Sequence, residues 1–382
     1  MLLKKRKIKL LHLAQSAGYG VTIYVEALIK GLNSELFEQY LLGSEYYQTA
    51  RFENITSKLI TIPMNRNISF QDIKTIRECR KIIRKENPDI VYCHSAKAGI
   101  YGRLACLGTK MKVVYNPHGW SFNMKCSIAK RIFYAFIEAL FAIFTDRIVV
   151  ISVYEKRSVP WYIQTSKIDV IVNGIDIDRC KLILKNNSLN RSKIGISNNA
   201  FVVGIIARIS IQKGQDMLIE IAKKVKAKIP SAFFLIVGGE SDTVNIEEKI
   251  KNQGLSNSFL ITGEVVDAIR YASLFDVAVL TSRWEGFGLV LPEYMIAQKP
   301  IVAFGVDAIP DIIVNEQNGL LVKPGDLTEF ANSIIRLYND KILRSKLINN
   351  AMKQVESLYD MSRVCSEHEK LFVDLCEGQL YK

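Results

Sequence analysis

At 382 residues, with 49% hydrophobic and 9% aromatic content, the chain exceeds one ordinary domain and fits two of about 180 residues, each able to bury a core; no disordered or low-complexity tract is present. It is basic, with 51 Lys and Arg against 38 Asp and Glu for a net +13, which implies an anionic partner: a nucleoside diphosphate, a lipid surface or a nucleic acid. Seven cysteines without a Cys-x-x-Cys pair and only four histidines argue against a disulfide framework or a metal site and read as reduced thiols in a cytosolic protein.

In chain order, Lys4, Lys5, Arg6, Lys7 and Lys9 make a basic start, but the apolar stretch 8–13 is short and runs into a loop with Gly18, Tyr19 and Gly20. It reads as a first strand, not a signal peptide, and His12 inside it reads as packed. Further strands are predicted near 37–43, 58–62, 89–93, 112–116, 147–151 and 168–172, separated by helical patterns, the signature of parallel sheets. Lys74, Arg77, Lys81, Arg84 and Lys85 recur along one face of a predicted helix. His94 and His118, the latter in Asn116-Pro117-His118-Gly119, each follow a strand end, where such sheets expose side chains to ligand. The longest apolar run, 132–144, contains Glu138 and spans about 13 residues where a bilayer needs roughly 20. Its stripe of Phe133, Phe136, Leu140 and Phe144 reads as a core face, with an interfacial membrane contact as the alternative.

Residues 173–199 are polar and poor in periodic apolar positions, so a hinge is expected there. Asp176-Ile177-Asp178 spells an aspartate pair that could hold a divalent metal, but it lacks a sheet-end context and reads as a linker feature. The second half has predicted strands near 201–206, 232–237, 259–262, 276–280, 300–303 and 319–322. Arg208 and Lys213 straddle a strand end and the following helix start, so both cations can converge on phosphate. The segment 281–293, Thr-Ser-Arg-Trp-Glu-Gly-Phe-Gly-Leu-Val-Leu-Pro-Glu, sets Glu285 and Glu293 eight positions apart across a glycine-flanked turn into a helix. Glycines let a ligand approach the backbone, and amides at a helix start attract phosphate.

These landmarks, with Gly204 to Gly214, Phe234 to Gly239 and Asn173-Gly174-Ile175-Asp176, occur in an order that resembles the family-four retaining glycosyltransferases of the GT-B fold, and the resemblance covers nearly the whole chain. It implies an α/β architecture of two Rossmann-like domains with parallel sheets facing each other across a cleft. The first, acceptor-side domain spans 1–178, with a C-terminal helix in 360–382 packing back on it, and the nucleotide-sugar domain spans 179–359. It implies a retaining hexosyl transfer from a nucleotide diphosphate sugar to a saccharide acceptor, without metal or other cofactor. Arg208 and Lys213 would grip the pyrophosphate, Glu285 the transferred sugar and Glu293 the ribose. Gly286, Phe287, Gly288, Leu289 and Val290 would complete the donor site with Gly18, while His118 would meet the donor sugar, and Tyr19 and His94 would line the acceptor side. The family's first loop carries adjacent glycines, whereas here Tyr19 separates Gly18 from Gly20. A lipid-diphosphate-linked acceptor, and peripheral attachment to the inner face of an anionic plasma membrane, follow as weaker implications of the basic first half, as in bacterial capsule or exopolysaccharide assembly. No nucleic-acid recognition module is found, and no Gly-x-Gly-x-x-Gly follows the first strand, which disfavours a nicotinamide cofactor. The rival readings are a nucleotide-sugar epimerase of the same fold and a catalytically silent partner of another transferase.

Overall fold

The computed structural model describes residues 6–15, 19–45, 51–65, 69–239 and 245–376, and of Tyr19 the backbone only. The chain divides into two compact units, residues 1–173 with 361–382, and residues 174–360. The division falls at 173/174, five residues before the expected 178/179.

The first unit runs β1 (Ile8–Ala14), α1 (Tyr19–Gly31), β2 (Phe37–Ser44), β3 (Lys58–Ile62), α2 (Gln71–Glu86), β4 (Ile90–His94), α3 (Ala96–Ala105), β5 (Lys112–Asn116), α4 (Ile128–Ala142), β6 (Arg147–Val150), α5 (Val153–Arg157) and β7 (Ile168–Val170). The strands pair in parallel in the order β3-β2-β1-β4-β5-β6-β7. The second unit runs α6 (Ile177–Lys185), β8 (Phe201–Ile206), α7 (Gln215–Lys226), β9 (Ala232–Val237), α8 (Ile246–Asn252), β10 (Phe259–Ile261), β11 (Val277–Leu280), α9 (Val290–Ile296), β12 (Ile301–Phe304), α10 (Ile309–Ile312), β13 (Leu320–Val322), α11 (Leu327–Asn339) and α12 (Lys341–Leu358). Its parallel sheet has the order β10-β9-β8-β11-β12-β13. The last helix, α13 (Met361–Cys376), packs on α1 in the first unit.

Residues of alternating parity along the first sheet feed two cores. Leu11, Leu13, Val91, Cys93, Val113 and Tyr115 face Cys79 and Ile83 of α2, Ala98 and Tyr101 of α3, and Ala135 and Ala142 of α4. Ile8, Leu10, Ile90, Tyr92 and Val114 face Val25 and Leu28 of α1, and Val364 and Phe372 of α13. This is the two-sided burial expected of parallel strands.

Two elements differ from the sequence reading. The expected hinge contains α6, whose first turn is capped by Asp176, its side chain accepting the Arg179 amide at 2.9 Å. The aspartate pair therefore starts a helix. Helix α4 turns its aromatic stripe outward: Ile128, Ile132, Phe133, Phe136, Leu140 and Ile143 are exposed, while Ala135, Glu138 and Ala142 are buried. Glu138 accounts for the inversion. Its carboxylate accepts the Tyr115 hydroxyl at 2.8 Å and pairs at 3.4 Å with Arg103, a fully buried guanidinium stacked 4.0 Å from the Tyr115 ring centroid. A buried arginine needs its counter-charge, so the face bearing Glu138 has to point inward.

Candidate active site

In both sheets the strand order reverses at one place, between β1 and β4 and between β8 and β11. The crevice beyond the strand ends there is where open α/β sheets bind ligand. The chain places its chemistry-bearing residues at both points.

In the second unit Arg208 follows β8, and the 281–289 loop follows β11. Lys213 Nζ pairs with Glu285 Oε1, and the Ser282 hydroxyl donates to that same oxygen at 2.7 Å. Glu285 is 6% exposed, and its Oε2 has no hydrogen-bond partner among the described residues. The two loops are laced together around this pair. Thr281 Oγ1 donates to the Lys213 carbonyl at 2.9 Å, Gln212 Nε2 to the Trp284 carbonyl at 3.1 Å, and the Glu285 amide to Asp307 Oδ2 at 2.9 Å. Arg283 forks onto Asp216 at 2.9 and 2.6 Å. Gly214 permits the approach: its φ is +69°, and a Cβ there would lie 2.3 Å from the Thr281 carbonyl oxygen. Arg208 is the counterpart of this order. Among the described residues its guanidinium has neither a hydrogen bond nor an ion pair, while its carbonyl is held by Gln215 at 3.1 Å.

Gly286 and Gly288, the latter at φ +87°, bring the loop to α9, whose first turn bonds Leu291 N–H to the Gly288 carbonyl at 2.9 Å. The amides of Gly288, Leu289 and Val290 stand at the open end of that turn. Phe287 does not offer its ring to ligand. It is 3% exposed and packs edge-on against Tyr359 at 5.7 Å, so its backbone is what remains for binding. Glu293 has no side-chain hydrogen bond among the described residues; burial pushes its carboxyl up to about 7, against a small opposing pull from Arg179.

In the first unit His94 ends β4 and His118 follows β5, and the structure brings them together: His94 Nδ1 and His118 Nε2 lie 3.1 Å apart with stacked rings. His12 continues the stack, its Nδ1 3.2 Å from His94 Nε2 and its Nε2 3.2 Å from Gln39 Oε1. His118 sits in the left-handed region at φ +51°, held by its amide bond to Asn116 Oδ1 at 2.8 Å. The 118–120 turn is fastened from below by Glu155, which accepts the Trp120 amide at 3.1 Å and the Ile151 amide at 3.0 Å. Burial raises the Glu155 carboxyl to about 7, against the pull of those two amides. Gly18 and the Tyr19 side chain, expected on the donor and acceptor sides, lie outside what is described.

Sequence reasoning missed Ser282, Asp307, Gln39 and His368. Ser282 was within reach, three residues before Glu285; the others meet the site only through tertiary contacts.

The family model described as Glycosyl transferases group 1 matches residues 186–354, and that described as Glycosyltransferase Family 4 matches residues 18–179. The chain is 28% identical over 347 residues to the UDP-Gal:alpha-D-GlcNAc-diphosphoundecaprenol alpha-1,3-galactosyltransferase of Escherichia coli, covering 86% of this chain and 90% of that one. It is 26% identical over 352 residues to the capsular polysaccharide biosynthesis glycosyltransferase CapM of Staphylococcus aureus, covering 90% and 92%. Among solved structures, Anabaena HepE in complex with UDP and glucose superposes with a TM-score of 0.80 at 20% identity, covering 96% of this chain and 100% of that one. The sucrose-phosphate synthase of Thermosynechococcus elongatus gives 0.81 at 18% identity, covering 98% and 100%. These structures share the fold.

Proposed function

Because the chain belongs to the group 1 and family-four glycosyltransferases, we propose that it moves a sugar from a nucleoside diphosphate to a saccharide acceptor with retention, in bacterial surface polysaccharide assembly. The observation that carries this reading is the ion pair of Lys213 and Glu285, together with Arg208 at the end of β8, whose guanidinium has no partner among the described residues. Two cations and a run of open amides suit a departing diphosphate. Preorganised donors aimed at developing charge are worth roughly 3 to 4 kcal/mol each. The free Oε2 of Glu285 suits a hydroxyl of the transferred sugar, and the desolvated Glu293 carboxylate suits the vicinal ribose hydroxyls, as carboxylates accept two such bonds.

In the reaction we propose, the bond from the sugar's anomeric carbon to the diphosphate oxygen breaks and the acceptor oxygen bonds to that carbon on the same face. The acceptor proton passes to the departing diphosphate, so the protein's part is positioning and charge stabilisation. No metal or other cofactor enters this scheme. Each of these duties falls to the protein's own side chains and backbone amides. Incubation with UDP-galactose, UDP-glucose and a panel of other nucleotide sugars, read by hydrolysis and thermal shift, tests it. Failure of every nucleotide sugar to bind or turn over would overturn the reading.

The acceptor we propose is lipid-diphosphate-linked, met at an anionic membrane surface. The E. coli relative is named for such an acceptor. On this chain the supporting observation is the outward apolar face of α4, with exposed Lys125 and Lys130 at its amino end and exposed Lys74, Arg77, Lys81, Arg84 and Lys85 on α2, which packs against the same side of the sheet. Among the described residues no helix is long and apolar enough to cross a membrane.

A further inference from the structure

All four histidines of the chain lie in one hydrogen-bonded group on the α1/α13 side of the first sheet. We propose that its anchoring at Gln39 makes Gln39, His12 and His94 positioning residues that hold His118 as the Nε2–H tautomer, leaving His118 Nδ1 as a bare lone pair that accepts a hydroxyl hydrogen of the donor sugar. The ligand in this proposal rests on the glycosyltransferase reading above; the proton order does not.

The order follows from what each partner can do. Gln39 Nε2 donates to the Ile29 carbonyl at 2.9 Å, and since a carbonyl only accepts, the amide is oriented with Oε1 toward His12. That oxygen accepts from His12 Nε2–H at 3.2 Å. A neutral imidazole carries one N–H, so His12 Nδ1 is an acceptor and must receive from His94 Nε2–H at 3.2 Å. His94 Nδ1 then receives from His118 Nε2–H at 3.1 Å. His118 Nδ1 is left with its lone pair, and it has no partner among the described residues.

A second anchor fixes the other branch. His368 Nδ1 donates to the Val364 carbonyl at 2.8 Å, so its Nε2 accepts from Tyr92 at 2.9 Å, with the Tyr24 hydroxyl 3.3 Å away. Tyr92 in turn accepts from Asn116 Nδ2 at 3.3 Å, and Asn116 Oδ1 holds the His118 amide. Both branches meet at His118, one through its ring and one through its backbone. The neutral state on which the order depends is imposed by burial, which pushes His12 and His118 down to about 3 and His368 to about 4. A proton arriving at His118 Nδ1 could pass along the stack no farther than His12, because the next group is an amide oxygen. His118 is thus an acceptor in this scheme and not a general acid.

With four histidines, the full chain labelled with ring-15N histidine gives four ring spin systems, and long-range 1H–15N correlation at neutral pH distinguishes the tautomers directly. The proposal requires Nε2–H for His12, His94 and His118 and Nδ1–H for His368. A His118 that is Nδ1–H, or an imidazolium, overturns it. Adding UDP-galactose or UDP-glucose, whichever the nucleotide-sugar panel shows to be bound, should shift the His118 Nδ1 resonance alone among the stacked rings; an unmoved Nδ1 under saturating donor overturns the ligand role. Gln39→Met keeps the side-chain volume but removes the acceptor. It should give a mixed His118 tautomer and a kcat about ten-fold lower at nearly unchanged KM, the worth of one hydrogen bond, and Gln39→Glu, which restores an acceptor oxygen, should restore the single tautomer. If Gln39→Met fails to fold, the wild-type spectra alone decide the order. Correct tautomers without any nucleotide-sugar binding would remove the glycosyltransferase reading and leave the proton order standing, whereas donor turnover with the wrong tautomers removes only this proposal.

Discussion

Lys213 and Glu285, 72 residues apart in sequence, share one ion pair whose carboxylate oxygen also accepts the Ser282 hydroxyl at 2.7 Å. The residue expected on phosphate and the residue expected on sugar are therefore one unit, and neither can be altered without releasing the other. Among the described residues Arg208 has no such tie.

That asymmetry makes the first prediction. Lys213→Ala and Arg208→Ala should each lower turnover by about two to three orders of magnitude. Only Lys213→Ala should also lower the thermal midpoint, because it leaves Glu285 desolvated without its counter-charge. Glu285→Gln should reduce kcat more than nucleotide affinity. Steady-state kinetics with thermal melts check this; near-normal rates in both alanine variants would contradict the site.

The second concerns pH and Glu293. Its folded pKa of about 7 lies above the ordinary 4.5, so the fold favours the protonated form. The stability this contributes is fully present below the unfolded value and is lost as pH rises through about 7. Glu293→Gln should flatten that part of the stability profile. Glu155 carries the same sign at about the same pKa, so a residual slope should remain. Nucleotide binding should move oppositely, strengthening as Glu293 ionises and becomes a pure acceptor, and in the glutamine variant it should be weaker and flat across the same range. Calorimetric titration with UDP on either side of neutrality measures both.

Turnover should survive a strong chelator, since the charge on the departing diphosphate is met by side chains and amides. Loss of activity that manganese or magnesium restores would require a metal beneath the diphosphate instead.

The fourth prediction is salt-sensitive attachment to anionic vesicles through α4 and α2. Each cation near such a surface adds about 1 kcal/mol. The amino-terminal residues contribute less than their number implies: Arg6 is forked onto Asp89 at 2.7 Å and Lys9 Nζ is bound to the Glu86 carbonyl at 2.9 Å, while Lys4 and Lys5 lie outside the described residues. Co-sedimentation should fall at high salt, fall with Arg77, Lys81 and Arg84 changed to Glu, and fall with Phe133 and Phe136 changed to Ser. Phe133 and Phe136 are exposed, so the last variant should keep its thermal midpoint. Equal binding by all of them would show the two faces to be merely solvated.

How far the sequence could be read depended on the range of the interaction involved. Strands announced themselves locally: the stretch predicted at 201–206 is β8 itself, and the one near 89–93 is β4 shifted by one residue. The glutamate loop was equally local, because its glycines, proline and carboxylates act within one turn. Helix α4 was misread because a periodic stripe reveals that one face is apolar without saying which side the core lies on, and here Arg103 of α3 draws Glu138 inward. The helix at 177–185 escaped notice because Ile177 and Cys180 are its only buried residues. Gln39 and His368 were invisible for a different reason. Each reaches the stack from another element, Tyr92 and His368 being 276 residues apart, and nothing local marks either one.

The return of α13 to the first unit bears on how the molecule is made. Met361, Val364, Cys365, Leu371 and Phe372 lie inside the core that also holds β1, β4 and α1, and His368 supplies the second anchor beneath His118. A ribosome releases those residues only after the whole of 174–360 has emerged. The half of the protein synthesised first is therefore the half completed last, and the nascent β1 and β4 surface must be shielded in the interval.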